Sequence, residues 1–271
     1  VTGVQTCALP ISKKKLEDVE VPVFNPLNAA VDFKISERIS CELDKEGKMK
    51  KFSVKGEITF TINDPKMTKI AILINSAKRD KFAPKVPPTF NKKMWAEDGV
   101  LIPRDEGTTF QPRMTISAIK YSFDSDKTNL SPVTFSVWLT DASLTIEAEF
   151  NSKQDWLKEV TDLEITIPSI NSKPKVTDKS NSDINFNSGE KTATWVIPKL
   201  GGKGPDSASI GLELADEVPE DELFPWNVNF QPSKVFADYE IANVKNMATD
   251  EEVKFDVHPD LKVGEFSVVA K

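Results

Sequence analysis

SPVTFSVWLTDASLTIEAEFNSKQDWLKEVTDLEITIP, residues 131–168, holds three stretches of alternating apolar and polar residues separated by two short breaks. Leu144, Ile146, Ala148 and Phe150 fall on one face of a period-two chain, and Thr145, Glu147 and Glu149 fall on the other. That is the pattern of a half-buried antiparallel strand. Leu163, Ile165 and Ile167 repeat it, and Val133, Phe135 and Val137 precede it, with Trp138 at that strand's end. Pro168 closes the third strand where no ladder N–H is needed. Between the last two strands, Gln154 to Val160 is the helical candidate of the chain, about two turns at ~3.6 residues each. The carboxylates Glu147 and Glu149 project to one strand face, a pattern of solubilising surface more than of acid–base chemistry.

Working outward, the same period recurs almost everywhere. A strand is expected from Val31 to Leu43, then turn residues Asp44-Lys45-Glu46-Gly47, then alternating Phe52, Val54, Ile58, Phe60 and Ile62, which together predict a hairpin. Asn63-Asp64-Pro65 ends it, and Ile70 to Ile74 is the third strand. Ser76 to Pro112 is irregular and proline-rich, long enough to be loop or function. Strands resume at Met114 to Phe123. After Pro168, Asn171 to Asn187 reads as a polar loop with one short strand at Ile184 to Phe186. Further strands are expected around Ala193–Ile197, Ile210–Leu214, Trp226–Phe230, Val235–Val244, Glu252–Val257 and Gly264–Val269. Many short strands without alternating helices predict an all-β protein of antiparallel sheets packed face to face, since parallel pairing would call for crossover helices.

Composition narrows the function classes. The chain has 271 residues, 39% hydrophobic and 28% charged, within the range of a globular protein of one large or two small domains. A net charge of −7 argues against a dominant nucleic-acid surface. The lysines between Lys48 and Lys55 form a local basic patch, of a kind that usually marks a solvated hairpin edge. Val1 to Ile11, VTGVQTCALPI, reads as the in-frame translation of a sequencing-library adapter, to be set apart from the fold together with Cys7. Ser12 to Ala30 reads as linker.

Cys41 is then the one native cysteine, so no disulfide framework is available, and its place at the end of an alternating strand makes it a small buried residue. His258 is the single histidine and lies in a polar His-Pro-Asp sequence read as a turn. A Cys–His nucleophile or a zinc cluster is therefore not indicated, and neither a metal nor a cofactor is expected. Gly201, Gly202 and Gly204 follow a strand and lead to Pro205, whereas phosphate-binding loops open a helix. These features argue against an enzyme.

Several segments carry a resemblance. Asp162-Leu163-Glu164-Ile165-Thr166-Ile167-Pro168, Phe135-Ser136-Val137-Trp138, Thr194-Trp195-Val196-Ile197-Pro198 and Phe224-Pro225 leading to Phe230 resemble the mu-homology domain of coatomer delta subunits. Ser36-Glu37-Arg38-Ile39-Ser40, Val54-Lys55-Gly56-Glu57-Ile58 and Ile62-Asn63-Asp64-Pro65 follow that family's first hairpin, and Asn91-Lys92-Lys93-Met94-Trp95 its Lys-Lys-aliphatic-aromatic segment. Phe82 to Pro88 departs from it.

The resemblance implies an elongated β-sandwich of two subdomains, the first formed by residues 31–130 and 232–271 and the second, residues 131–231, inserted into it. It implies a non-enzymatic subunit fragment of the COPI vesicle coat, acting in Golgi-to-ER retrograde transport and lacking here the family's longin-like amino-terminal domain. Other coatomer subunits would be its partners, as would tryptophan-containing motifs of tethers and Arf GTPase-activating proteins. Its place would be cytoplasmic, peripheral on Golgi membranes and COPI vesicles. The alternative is a clathrin-adaptor-like medium chain that binds cargo sorting signals. Such chains hold tyrosine-based signals with an aspartate on the first strand and a Trp-x-Arg near the last. Lys34, Phe255 and Val257 align with those positions, and a lysine cannot accept the tyrosine hydroxyl's hydrogen bond. The residues of a peptide pocket are not assigned by the resemblance.

Overall fold

In the computed structural model, residues 28–270 are described, apart from 78, 106 and 128. The adapter-like Val1–Ile11 and most of the expected linker lie outside the described residues. The alternating patterns form β1 (Val31–Asp44), β2 (Met49–Ile62) and β3 (Ile70–Asn75). A short helix α1 (Lys92–Asp98), β4 (Val100–Leu101) and β5 (Thr115–Ser125) follow. Next come β6 (Val133–Thr140), β7 (Ser143–Phe150), β8 (Glu159–Ile167), β9 (Lys175–Ser180) and β10 (Asp183–Asn187). The chain ends with β11 (Thr192–Gly201), β12 (Ser207–Glu213), β13 (Trp226–Gln231), β14 (Glu240–Asn246) and β15 (Phe255–Val269). The all-β class expected from the period-two pattern is what the chain adopts.

These strands build an eight-stranded sheet in the order β10-β11-β8-β13-β15-β1-β2-β5, a four-stranded sheet β6-β7-β12-β9 and a three-stranded sheet β14-β3-β4. The β1–β2 hairpin turns as expected: the Asp44 carboxylate accepts from the N–H groups of Glu46 and Lys48 at 3.0 and 2.8 Å, and Gly47 adopts the left-handed φ of 77°. The opening stretch supplies β6, β7 and β8, but β8 pairs into the large sheet while β6 and β7 join the four-stranded one.

Four expectations are corrected. Pairing is antiparallel except between β1 and β15, which run parallel. No crossover helix is required, because nearly the whole chain lies between those two strands and serves as the connection. His258-Pro259-Asp260 is not a turn: residues expected as two strands form one continuous β15. Proline is accepted there because β13 meets β15 at Trp226 and Asn227, opposite Val268 and Ser267, which leaves the other edge of β15 open at Pro259.

Gln154 to Val160 is not helical. The Gln154 side chain takes over the hydrogen bonds a helix would make, accepting from the N–H groups of Trp156 and Leu157 at 3.1 and 2.8 Å and donating to the Leu157 carbonyl at 2.6 Å. This tight loop sends Trp156 into the core against Phe52 and Phe236, and its indole N–H donates to the Leu130 carbonyl at 2.8 Å. The helix lies instead in the segment read as irregular. Asn91 caps α1 by accepting from the N–H groups of Lys93 and Met94, and Gly99 ends it at a φ of 71°. Finally, β9 occupies the expected loop after Pro168; it is an outer strand of its sheet and, being exposed along most of its length, carries no burial alternation for a period to mark.

Aromatic side chains fill the core. Phe33, Phe60, Phe90 and Phe110 form one cluster, and Phe52, Phe82, Phe123, Trp156 and Phe236 form another. Each fully buried side chain of this size contributes ~1.5–3 kcal/mol of transfer free energy.

One inward position of β1 breaks the apolar rule. Val31, Phe33, Ile35, Ile39 and Cys41 point inward, and so does Glu37, at 3% exposure. Its carboxylate accepts from the Tyr121 hydroxyl at 3.0 Å, from the N–H of Ala237 at 3.1 Å and from the N–H of Phe236. Opposite Glu37 in the ladder stands Gly56, where a Cβ would lie 2.0 Å from the Tyr121 ring. The absence of a side chain there lets the phenol reach the carboxylate. Burial pushes the Glu37 carboxyl above its ordinary 4.5, against the opposing pull of the two backbone donors and the phenol.

Replacing Glu37 by Ala strands three buried donors and is expected to cost about 2–4 kcal/mol, read as a shift in the urea midpoint at unchanged slope. The sign of the pH dependence follows from the raised carboxyl. Its contribution to stability is complete below the unfolded value of 4.5 and declines as pH rises through the folded one. The stability difference between the native chain and Glu37→Gln should therefore shift toward the Gln variant between pH 4.5 and neutrality, as measured by paired denaturant melts.

Candidate peptide-binding surfaces

Among the described residues, no three His, Cys, Asp or Glu side chains are grouped to hold a metal ion. Cys41 is buried, and burial pushes its thiol up to about 12, with the Ser131 hydroxyl pulling the other way. His258 pairs with Lys34, roughly 20 Å along β1 from Cys41 at ~3.3 Å per residue, so the two cannot react together. Its Nε2 lies 3.8 Å from the Asp32 carboxylate at the surface. The glycine-rich segment is a turn between β11 and β12, with Gly201 and Gly202 at φ of 76° and 64°.

Lys34, Phe255 and Val257 do come to neighbouring strands, but not to one face. Phe255 pairs with Val31 and Val257 with Phe33, both on the inward side, while Lys34 pairs with His258 on the outward side. Phe255 packs edge-on against Phe33 at 5.7 Å, and Val257 is left exposed at the rim. Lys34 turns away and holds Asp260 at 2.7 Å. Residues on opposite sides of a pleated sheet cannot line one hollow, so these three do not form a tyrosine pocket.

Two other features of the surface stand out. Trp138 on β6, the outer strand of the four-stranded sheet, is 53% exposed, an unusual position for so large an apolar side chain. The outward face of β15, β1, β2 and β5 carries a groove of about 410 Å³ lined by Arg38, Lys55, Lys120, Lys262, Glu57 and Asp260. Of these, Lys55 alone falls in the basic run noted in the sequence. Arg38 and Lys262 have no local signal that would join them to it, because strand register brings them together. Trp95, which ends the Lys-Lys-aliphatic-aromatic segment, is buried in α1 beneath the Arg79 guanidinium, 5.4 Å from its ring centre. It packs the core.

The all-β fold, in which the first and last strands pair in parallel around a long intervening segment, is that of an adaptor-type domain. The chain belongs to the adaptor complexes medium subunit family, whose model matches residues 25–269. It is similar to coatomer subunit delta of Dictyostelium discoideum, 20% identical over 94% of this chain and 48% of that protein, so the chain spans about half the length of this relative. Its fold is that of the yeast delta-COP-I mu-homology domain, with a TM-score of 0.74 at 20% identity over 88% of this chain and 97% of that one. The same yeast domain complexed with a Dsl1 WxWxV peptide gives a TM-score of 0.73 at 20% identity, covering 88% of this chain and 98% of that one.

Burial of Cys41 has a direct test. Maleimide modification at Cys41, followed by peptide mapping at neutral pH, should run at least ~1000-fold slower on the folded chain than in denaturant, since a buried thiol offers almost no thiolate.

Proposed function

We propose that this chain is the mu-homology region of a COPI coat subunit that acts in Golgi-to-ER retrograde transport and binds short tryptophan-containing peptides of tethers or Arf GTPase-activating proteins. The observation that carries the reading is the chain-long correspondence to the yeast delta-COP domain, one of whose solved structures holds a WxWxV peptide. In this reading the remaining coatomer subunits are its partners, and it sits on the cytoplasmic side of Golgi membranes and COPI vesicles. None of its helices among the described residues is long and apolar enough to cross a membrane, in keeping with attachment through the coat. Residues 31–130 with 232–271 act as one subdomain and residues 131–231 as a second, inserted one. The domain works without catalysis.

The physical requirement is modest. A rigid sheet surface offers hollows for indole rings, and buried tryptophan anchors often dominate the energy of a small interface. The clathrin-adaptor-like alternative, binding of tyrosine-based cargo signals, is disfavoured by the sheet parity that separates Lys34 from Phe255 and Val257.

Calorimetric titration of a WxWxV dodecapeptide into the chain should give a dissociation constant of roughly 1–100 μM, as for small transient interfaces. Replacing both tryptophans by alanine should abolish the heat. A tyrosine-signal peptide that binds while the tryptophan peptide does not would reverse the choice between the two readings.

A further inference from the structure

Strand register brings three cations into one row on the outward face of the large sheet. Arg38 in β1 pairs with Lys55 in β2 and, on its other side, with Lys262 in β15. All three are exposed. Like charges directly opposite one another destabilise a sheet, and elsewhere this face avoids them: Glu42 stands opposite Lys51, and Glu57 opposite Lys120.

Nearby acids relieve the row only at Lys262. Asp260 is shared between Lys34 at 2.7 Å and Lys262 at 3.2 Å, and these two cations hold its carboxyl below the usual carboxylate range. Glu57 accepts from the Ser117 hydroxyl at 2.6 Å and lies 3.7 Å from Lys120. Among the described residues, Arg38 and Lys55 have neither an ion-pair nor a hydrogen-bond partner. The row lies in the groove of about 410 Å³.

We infer that the row Lys262–Arg38–Lys55 is a docking site for an acidic peptide segment whose aspartate or glutamate side chains supply the missing counter-charge. Three neighbouring strands span ~10 Å at ~4.8 Å spacing, and alternate side chains of an extended peptide stand on one side ~7 Å apart. Two carboxylates two residues apart therefore reach all three cations. An anionic membrane fits less well: a flat charged surface would meet Asp260 and Glu57 along with the cations, and the chain carries a net charge of −7. The proposal does not rest on the binding of tryptophan motifs and stands without it.

The test uses the full chain and a fluorescein-labelled Ser-Glu-Asp-Glu-Asp-Gly peptide, with the matched Gln/Asn peptide as its neutral counterpart, followed by anisotropy at ~50 mM salt to limit screening. The acidic peptide should bind and the neutral one should not. Lys55→Glu places an acid opposite Arg38, so it should weaken binding at least about tenfold while leaving the thermal midpoint equal or higher. Lys92→Glu, on the exposed side of α1, should change binding by less than about twofold. Equal weakening by the two variants, equal binding of the neutral peptide, or Lys55-dependent binding of phosphatidylserine vesicles without peptide binding would each overturn the proposal.

Discussion

Parallel pairing of β1 with β15 is the constraint on which the rest of the architecture depends. The two strands stay in register from Val31 opposite Phe255 to Asp44 opposite Val269, with one irregularity between Ile39 and Cys41. A parallel pair cannot be closed by a tight turn, so everything between them becomes the connection. β2 and β5 extend the sheet on one side of the pair, while β13, β8, β11 and β10 extend it on the other. The intervening segment thus returns to the sheet it left, and β6, β7, β9 and β12 form their own sheet on the way. The same pairing leaves the first half of β15 with one open edge and sets Lys262 beside Arg38.

Glu37 ties the returning chain to this pair. A carboxylate at an inward position is costly unless its oxygens are occupied. Here a phenol from β5 and two backbone N–H groups just before β14 occupy them. The carboxylate thus holds three remote parts of the chain at one point, something the surrounding aliphatic contacts, which are not directional, cannot specify. Cys41, two positions further in the inward series than Glu37, shows the contrast: it is simply a small buried group.

Much of this was legible along the chain. The period-two alternation marked β1, β2, β6, β7 and β8 correctly because burial of one face is a local property of a strand. Turn chemistry at Asp44 to Gly47 was equally local. Where the reading failed, a competing interaction had taken over. The Gln154 amide replaced the helical ladder of 154–160, and the Asn91 and Gly99 caps stood eight residues apart in a segment whose prolines drew attention away from them. For the candidate surface, the basic run around Lys55 was visible but read as a solvated hairpin edge. The alignment of Lys34 with Phe255 and Val257 identified neighbouring strands and missed that they occupy opposite faces.

By itself the sequence determined the class of the fold, its local hairpins and the resemblance to the mu-homology domain, since each rests on neighbouring residues or on residue types alone. Only the tertiary structure decided that the first and last strands run parallel, that Glu37 has three donors, and that Arg38, Lys55 and Lys262 share a row. Those facts depend on the register between strands far apart in the chain, and a shift of one residue would send every side chain of a strand to the other face.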